Sequence, residues 1–171
     1  MNEHMDVTLM IADDESFILR GLKEIVSDSD LPLKLIGTAG NGMDAFALLL
    51  SSSPDIAIMD IRMPGMDGLE VIRRARDAGL TTHFLILSGY NDFEYAKRAI
   101  GIGITDYMLK PVSAEQLLGV IGEVAEVIRK EQEERDLLKK YEADMQENRE
   151  HDKYEFLTRI LTEHLSMTET L

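Results

Sequence analysis

Five polar side chains of the sequence have types and positions that together could perform chemistry on a phosphoryl group. Two adjacent aspartates, Asp13 and Asp14, follow the apolar segment VTLMIA, and a third, Asp60, follows the apolar segment DIAIM. Ser88 and Lys110 lie where two later apolar segments end. Carboxylate oxygens are ligands that the hard cation Mg²⁺ prefers, and a divalent cation relieves the repulsion between crowded carboxylates. The three aspartates therefore predict a Mg²⁺ site.

Asp60 has a second chemical use, as a nucleophile. A carboxylate can attack phosphorus and form an acyl phosphate, provided that the charge of the transferring group is neutralised. Mg²⁺ could neutralise this charge from one side and the Lys110 ammonium from another, while the Ser88 hydroxyl donates a hydrogen bond to a third oxygen. Asp60 is therefore the candidate phosphoryl acceptor.

Such a site needs a fold that gathers residues from distant parts of the chain. Between residue 7 and about residue 129, short apolar segments alternate five times with helix-length amphipathic segments. The apolar segments are too short for helices, and several are rich in β-branched residues, so they predict strands. The first, third and fourth have the continuous hydrophobicity of strands buried on both faces. The predicted strands are residues 7–12, 33–39, 55–59, 83–88 and 104–109.

Start signals support the predicted helices between these strands. Asn91 with Glu94, and Ser113 with Gln116, have the spacing of a capping box. Five βα units predict an α/β fold of flavodoxin-like type, a doubly wound sheet of five parallel strands, with a C-terminal helical extension. Ligands of such folds bind at the carboxyl ends of the strands, which is where the candidate residues lie.

Four motifs at these strand ends resemble the response-regulator receiver domain of two-component signalling. They are ADDE, DIRMPGMDGLE, SGY and DYMLKP, and the resemblance covers roughly residues 8–129. It implies that a partner histidine kinase phosphorylates Asp60. It also implies that Asp13, Asp14 and Asp60 hold Mg²⁺ together with the backbone carbonyl of Arg62. A receiver is a phosphoacceptor switch rather than a turnover enzyme.

The resemblance also implies how phosphorylation is reported. Lys110 would contact the phosphoryl group, and Ser88 with Tyr107 would form the switch. The stretch SGYNDFEYAKRAI, at residues 88–100, resembles receivers that precede an AraC-type helix-turn-helix domain. The full protein would then be a transcription regulator that binds DNA through a C-terminal output domain absent from this chain.

Structural interpretations of the same residues remain as alternatives. Asp13 or Asp14 could cap the helix that begins near Ser16, because aspartate at a helix N-terminus is a common stabiliser. Asp60 could be an ordinary loop acid, and Lys110 could simply extend its alkyl chain along the surface.

Two other functions are compatible with parts of the pattern. One is a Mg²⁺-dependent aspartyl phosphohydrolase. Enzymes of the haloacid dehalogenase type carry a second acid two residues after the nucleophile. Here that position is Arg62, which argues against this function. The other is a phosphate-independent interaction or dimerisation module, in which the C-terminal extension is the functional part.

Composition limits the partners. The chain has 171 residues and a net charge of −14, so a direct contact with the phosphate backbone of nucleic acid is disfavoured. No apolar run has the length of a membrane span, and the N-terminus lacks the basic and small-residue features of a secretion signal. Without cysteine there is no disulfide framework. We therefore expect a cytoplasmic protein that does not contact a membrane.

The composition changes after residue 128. We predict a receiver domain at residues 1–129 and, at residues 130–171, either a charged helical linker or a coiled-coil arm that makes a homodimer. Leu138, Tyr141 and Met145 have the 3-4 spacing of one helix face. A second apolar cluster follows, at Leu157, Ile160, Leu161 and Leu165. The pattern has fewer clean heptads than a sustained coiled coil needs, so a single solvated helix remains open.

Overall fold

A computed structural model describes residues 6–89 and 93–168, in which strands and helices alternate along the chain. The strands are β1 (Val7–Ala12), β2 (Leu33–Ala39), β3 (Ile56–Met59), β4 (His83–Ser88) and β5 (Asp106–Leu109). The helices are α1 (Ser16–Ser27), α2 (Gly42–Ser52), α3 (Gly68–Asp77), α4 (Phe93–Gly101) and α5 (Ala114–Thr168). Each predicted strand and helix is present, so the predicted fold class is confirmed.

The strands form one parallel sheet in the order β2-β1-β3-β4-β5, which is the flavodoxin-like order. β1, β3 and β4 occupy the middle and are almost wholly buried, as their continuous hydrophobicity predicts. The edge strands β2 and β5 are partly exposed. The carboxyl ends of β1, β3, β4 and β5 consequently lie along one edge of the sheet.

Helices cover both faces of the sheet with separate apolar cores. On one face, α2, α3 and α4 contribute buried residues such as Leu49, Ile72 and Ala99, which pack against Met10, Met59 and Ile86 of the strands. On the other face, α1 and the first part of α5 pack residues such as Leu22 and Ile121 against the strands. Because both cores consist of closely packed apolar side chains, the strand positions that support the site are firmly held.

Two strands begin later than predicted, and hydrogen bonds explain the difference. Asp55 precedes β3, where its Oδ2 accepts bonds of 2.8 Å from Thr8 N and 2.6 Å from Thr8 Oγ1. Ile104 precedes β5, because its N–H donates back to Ala99 O of α4 at 3.4 Å. The first predicted residue of β3 therefore makes side-chain hydrogen bonds to Thr8, and the first predicted residue of β5 bonds to the end of α4.

The capping box predicted at the start of α5 is present. Gln116 N donates to Ser113 Oγ at 3.1 Å, and Gln116 Oε1 accepts from Ser113 N at 3.2 Å. The other predicted capping box begins at Asn91, which lies outside the described residues.

The chain divides into two units, Met1–Ile128 and Arg129–Leu171. Described side chains of the second unit are almost all exposed, and the apolar ones include Leu138, Tyr141 and Met145 at 60–63% exposure. Across residues 6–89 and 93–168, no helix combines the length and hydrophobicity that crossing a bilayer requires.

Candidate functional site

The ends of four parallel strands position the candidate residues. Asp60 N donates to Ala12 O at 2.9 Å, which ties the residue after β3 to the end of β1. Lys110 N donates to Ser88 O at 2.8 Å and ties the residue after β5 to the end of β4. These bonds continue the ladder of the sheet by one residue, so Asp60 and Lys110 are held at its carboxyl edge.

The Lys110 ammonium joins two carboxylates at this edge. Lys110 Nζ lies 2.6 Å from Asp13 Oδ2 and 3.2 Å from Asp60 Oδ1. The side chains of Lys110, Asp13 and Asp60 are only 14%, 2% and 8% exposed. Glu15 Oε1 is 3.7 Å from the same nitrogen but is well exposed. The centre of the site is therefore a buried pair of acids that share one cation.

Burial and charge act in opposite directions on this group. Burial raises the pKa of Asp60 above its usual value, Lys110 lowers it, and the nearby Asp13 carboxylate raises it again; the net effect is upward. For Lys110, burial lowers the pKa, but hydrogen bonds and charges from Asp13 and Asp60 outweigh burial, so the net pKa is raised. One lysine therefore compensates the buried negative charge incompletely.

Backbone amides orient the second oxygen of each buried acid. Asp13 Oδ1 accepts from Glu15 N at 2.9 Å, and Asp60 Oδ2 accepts from Arg62 N at 2.9 Å. The residue at the N-cap of α1 is Glu15, so neither Asp13 nor Asp14 holds that position. Asp14 follows Asp13 with an exposed side chain.

The loop that carries Asp60 is packed into the core. We call residues 60–67, between β3 and α3, the acceptor loop. Its side chains Ile61, Met63 and Met66 are buried, at 1%, 8% and 7% exposure, while Arg62 between them is exposed. The methionines are thus core residues, and they fix the loop whose backbone includes the Arg62 carbonyl.

Ser88 and Tyr107 lie on the two strands nearest Lys110. Ser88 is fully buried at the end of β4. Tyr107 is half-buried and packs against the core that contains Ile86, its partner in the β4–β5 register. Since side chains alternate along a strand, Ser88 and Ile86 face the same side of the sheet, and so does Tyr107.

The residues fit a divalent cation by their chemistry. Two buried carboxylates with one ammonium have a net negative charge, and their oxygens are the donors that Mg²⁺ prefers. In the described part of the chain, no group of three or more His, Cys, Asp and Glu side chains is arranged to hold a metal ion. Lys110 supplies the counter-charge instead.

Sequence reasoning missed two supporting features of the site. Glu15 approaches Lys110, and its position next to the aspartate pair was the available signal. Glycines at the starts of α2 and α3 contact the acceptor loop, and only the structure shows that contact.

Comparison with known proteins identifies the family. The sequence matches the family described as response regulator receiver domain over residues 9–122. The chain belongs to the response regulator receiver family. Receivers of this family act in two-component signalling, interact with histidine kinases, and in general bind Mg²⁺.

Similar receivers occur in transcriptional regulators. The chain is 36% identical over 143 residues to the uncharacterized transcriptional regulatory protein YesN of Bacillus subtilis, which covers 84% of this chain and 38% of YesN. It is 37% identical over 124 residues to the transcriptional regulatory protein HptR of Staphylococcus aureus, covering 72% of this chain and 48% of HptR. The chain thus spans less than half the length of these curated relatives.

A solved receiver shows the same architecture. The receiver domain of AraT, a response regulator from Geobacillus stearothermophilus, superposes with a TM-score of 0.70 and 34% identity, over 75% of this chain and 99% of that domain. The receiver fold therefore accounts for nearly all of the AraT domain and for about three quarters of this chain.

Proposed function

We propose that Asp60 is the phosphoryl acceptor of this receiver. The observation that carries the proposal is the Lys110 ammonium held against both Asp13 and Asp60 in a buried site. In the transfer, an Asp60 carboxylate oxygen forms a bond to phosphorus while the bond between phosphorus and the imidazole nitrogen of a phosphohistidine breaks. Lys110 contacts the oxygens of the transferring group, and the product is an acyl phosphate.

Asp13, Asp14, Asp60 and the backbone carbonyl of Arg62 would hold Mg²⁺. When bound, the ion supplies positive charge against the phosphoryl oxygens. The protein's own part is to orient Asp13 and Asp60, because the amides of Glu15 and Arg62 donate to one oxygen of each carboxylate.

Phosphorylation then biases an equilibrium between two conformations. The phosphoryl group adds about −1.5 to −2 charges, and the buried Ser88 hydroxyl donates a hydrogen bond to one of its oxygens. Tyr107 responds in the space that Ser88 leaves, so that the surface of α4, β5 and α5 changes. Both side chains face the same side of the sheet, which supports their joint role.

The receiver at residues 1–129 acts in the cytoplasm on a transcriptional output. We propose that the output is an AraC-type DNA-binding domain outside this chain, and that residues 130–171 are the helical connection. The relatives support a transcriptional output, because they are transcriptional regulators longer than this chain.

The arm also supports a homodimer. Leu138, Tyr141 and Met145 are exposed on one helix face, and a helix gains most of its stability from packing an apolar face. A second copy of the same face would cover them. Light scattering should give a dimer mass for the parent and a monomer mass for Leu138→Glu; a monomeric parent would remove the dimer.

The acceptor is tested by intact mass after incubation with Mg²⁺ and a small-molecule phosphodonor. We expect one phosphoryl adduct on the parent and none on Asp60→Asn. Asp67→Asn is the matched control in the same loop, because asparagine preserves the cap that Asp67 Oδ1 makes with Glu70 N at 2.8 Å. An adduct that persists in Asp60→Asn, or is absent from the parent, would contradict the proposal.

Steady phosphate release from an added monoester would instead favour a phosphohydrolase.

A further inference from the structure

The acceptor loop is held between the first residues of two helices. A Cβ built on Gly68, where α3 begins, would lie 2.1 Å from Asp60 O. A Cβ built on Gly42, where α2 begins, would lie 1.9 Å from Met66 O. Real side chains do not approach backbone oxygens so closely, so each helix start reaches the loop only because it is glycine.

The contact at Gly42 connects the acceptor loop to an element remote in sequence. Gly42 N donates to Pro64 O at 3.3 Å, and Met66 places its side chain in the core beside α2. The obstacle to a larger residue is a backbone carbonyl rather than a flexible side chain, so the neighbour can yield only by moving the loop. Gly42 has no left-handed φ, and alanine could therefore adopt its backbone conformation without strain.

We propose that Gly42 is a positioning residue for the metal site, an inference that rests on the proposed function. The absent side chain lets α2 seat the acceptor loop, which carries Asp60 and the Arg62 carbonyl that would hold the cation. A Cβ at this position forces Met66 O to move by about 1.5 Å to reach van der Waals separation. Metal ligands tolerate less than that displacement, because productive geometry requires about 0.5 Å precision.

The test compares Gly42→Ala with two matched glycine variants. Gly40→Ala adds the same methyl group two residues away, where nothing lies within 4 Å. Gly37→Ala adds it in β2 against Leu48 Cδ2 at 3.0 Å, so it perturbs packing without touching the acceptor loop. The first control reports the effect of the substitution itself. The second reports the effect of altered packing against Leu48 of α2, away from the first residue of that helix.

Mg²⁺ binding is measured by calorimetry on the whole chain without a phosphodonor. We expect Gly42→Ala to weaken Mg²⁺ binding roughly 10-fold or more, in the range seen when groups that orient metal ligands are altered. Gly40→Ala and Gly37→Ala should bind within about 2-fold of the parent, which is the scatter expected for sites outside the loop. Hydrogen exchange at the Arg62 amide, measured without metal, should accelerate in Gly42→Ala alone, because that amide bonds Asp60 Oδ2.

Unchanged Mg²⁺ binding by folded Gly42→Ala would overturn the inference, and so would equal weakening in Gly37→Ala. If Gly42→Ala does not fold, Met66→Ala replaces it, because removal of the Met66 side chain loosens the packing of the acceptor loop in the core beside α2. Weaker Mg²⁺ binding by Met66→Ala then supports the inference and parental binding overturns it. A parent that binds no Mg²⁺ refutes the proposed metal site itself, and this result is visible before any variant is compared.

Discussion

Replacement of Lys110 by methionine should destabilise the receiver strongly in the absence of metal. Methionine keeps most of the alkyl chain but removes the ammonium that lies 2.6 Å from Asp13 Oδ2 and 3.2 Å from Asp60 Oδ1. Both acids are at least nine-tenths buried, so water cannot replace the lost cation. The variant therefore leaves two neighbouring buried carboxylates without a positive partner.

The size of the effect follows from this burial. Removal of one partner from a buried ion pair lowers the free energy of unfolding by roughly 3–5 kcal/mol. The lower figure applies here because the Lys110 side chain is 14% exposed. With an m-value of about 2 kcal/mol/M, a loss of about 3 kcal/mol lowers the urea midpoint by about 1.5 M. The assay is urea unfolding at pH 7 with EDTA. Lys34→Met, at an exposed position of β2, is the control and should shift the midpoint little.

Lower pH should reduce the penalty of Lys110→Met. The pKa of Asp60 is already raised from 3.8 by burial, and loss of Lys110 raises it further. An acid with a raised pKa favours the folded state at low pH, and this benefit is lost as pH rises through the folded pKa. The difference in urea midpoint between the variant and the parent should therefore become smaller as the pH is lowered.

Mg²⁺ should also stabilise the variant more than the parent. A midpoint within about 0.3 M of the parent at pH 7 would refute this account of the site.

Two further predictions concern helices that support the sheet. Ser113→Ala should cost about 1 kcal/mol in urea unfolding, because Gln116 N loses its partner at the start of α5, and Ser113→Thr should restore most of it. The pKa of Glu70 should be about 2, lowered by hydrogen bonds from Arg73 and Arg74, and should rise toward 4.5 in Arg73→Gln when followed by carboxyl NMR. The Glu70 contribution to stability is present above the ordinary pKa and fades as pH falls toward 2.

The fold and the gathering of candidate residues follow from local rules. Continuous hydrophobicity distinguishes the buried central strands, and parallel strands place their carboxyl ends at one edge, which brings Asp13, Asp60 and Lys110 together. The glycine contact at Gly42 obeys no local rule. It depends on how closely α2 approaches Met66 in space, and a glycine at the start of a helix has many other reasons to be there.

Charge at the site gives a physical reason why one ammonium does not suffice for the phosphorylated state. Asp13 and Asp60 with Lys110 carry a net charge of about −1, since both carboxylates are buried beside a single cation. Conversion of the Asp60 carboxylate to an acyl phosphate replaces about −1 by about −2, which leaves the group near −2. A divalent cation brings the net charge of the phosphorylated site close to zero, whereas a second lysine would bring it only to about −1. Loss of Mg²⁺ should therefore reduce phosphorylation even where Lys110 is intact, and a parent labelled equally well in EDTA would contradict this balance of charge.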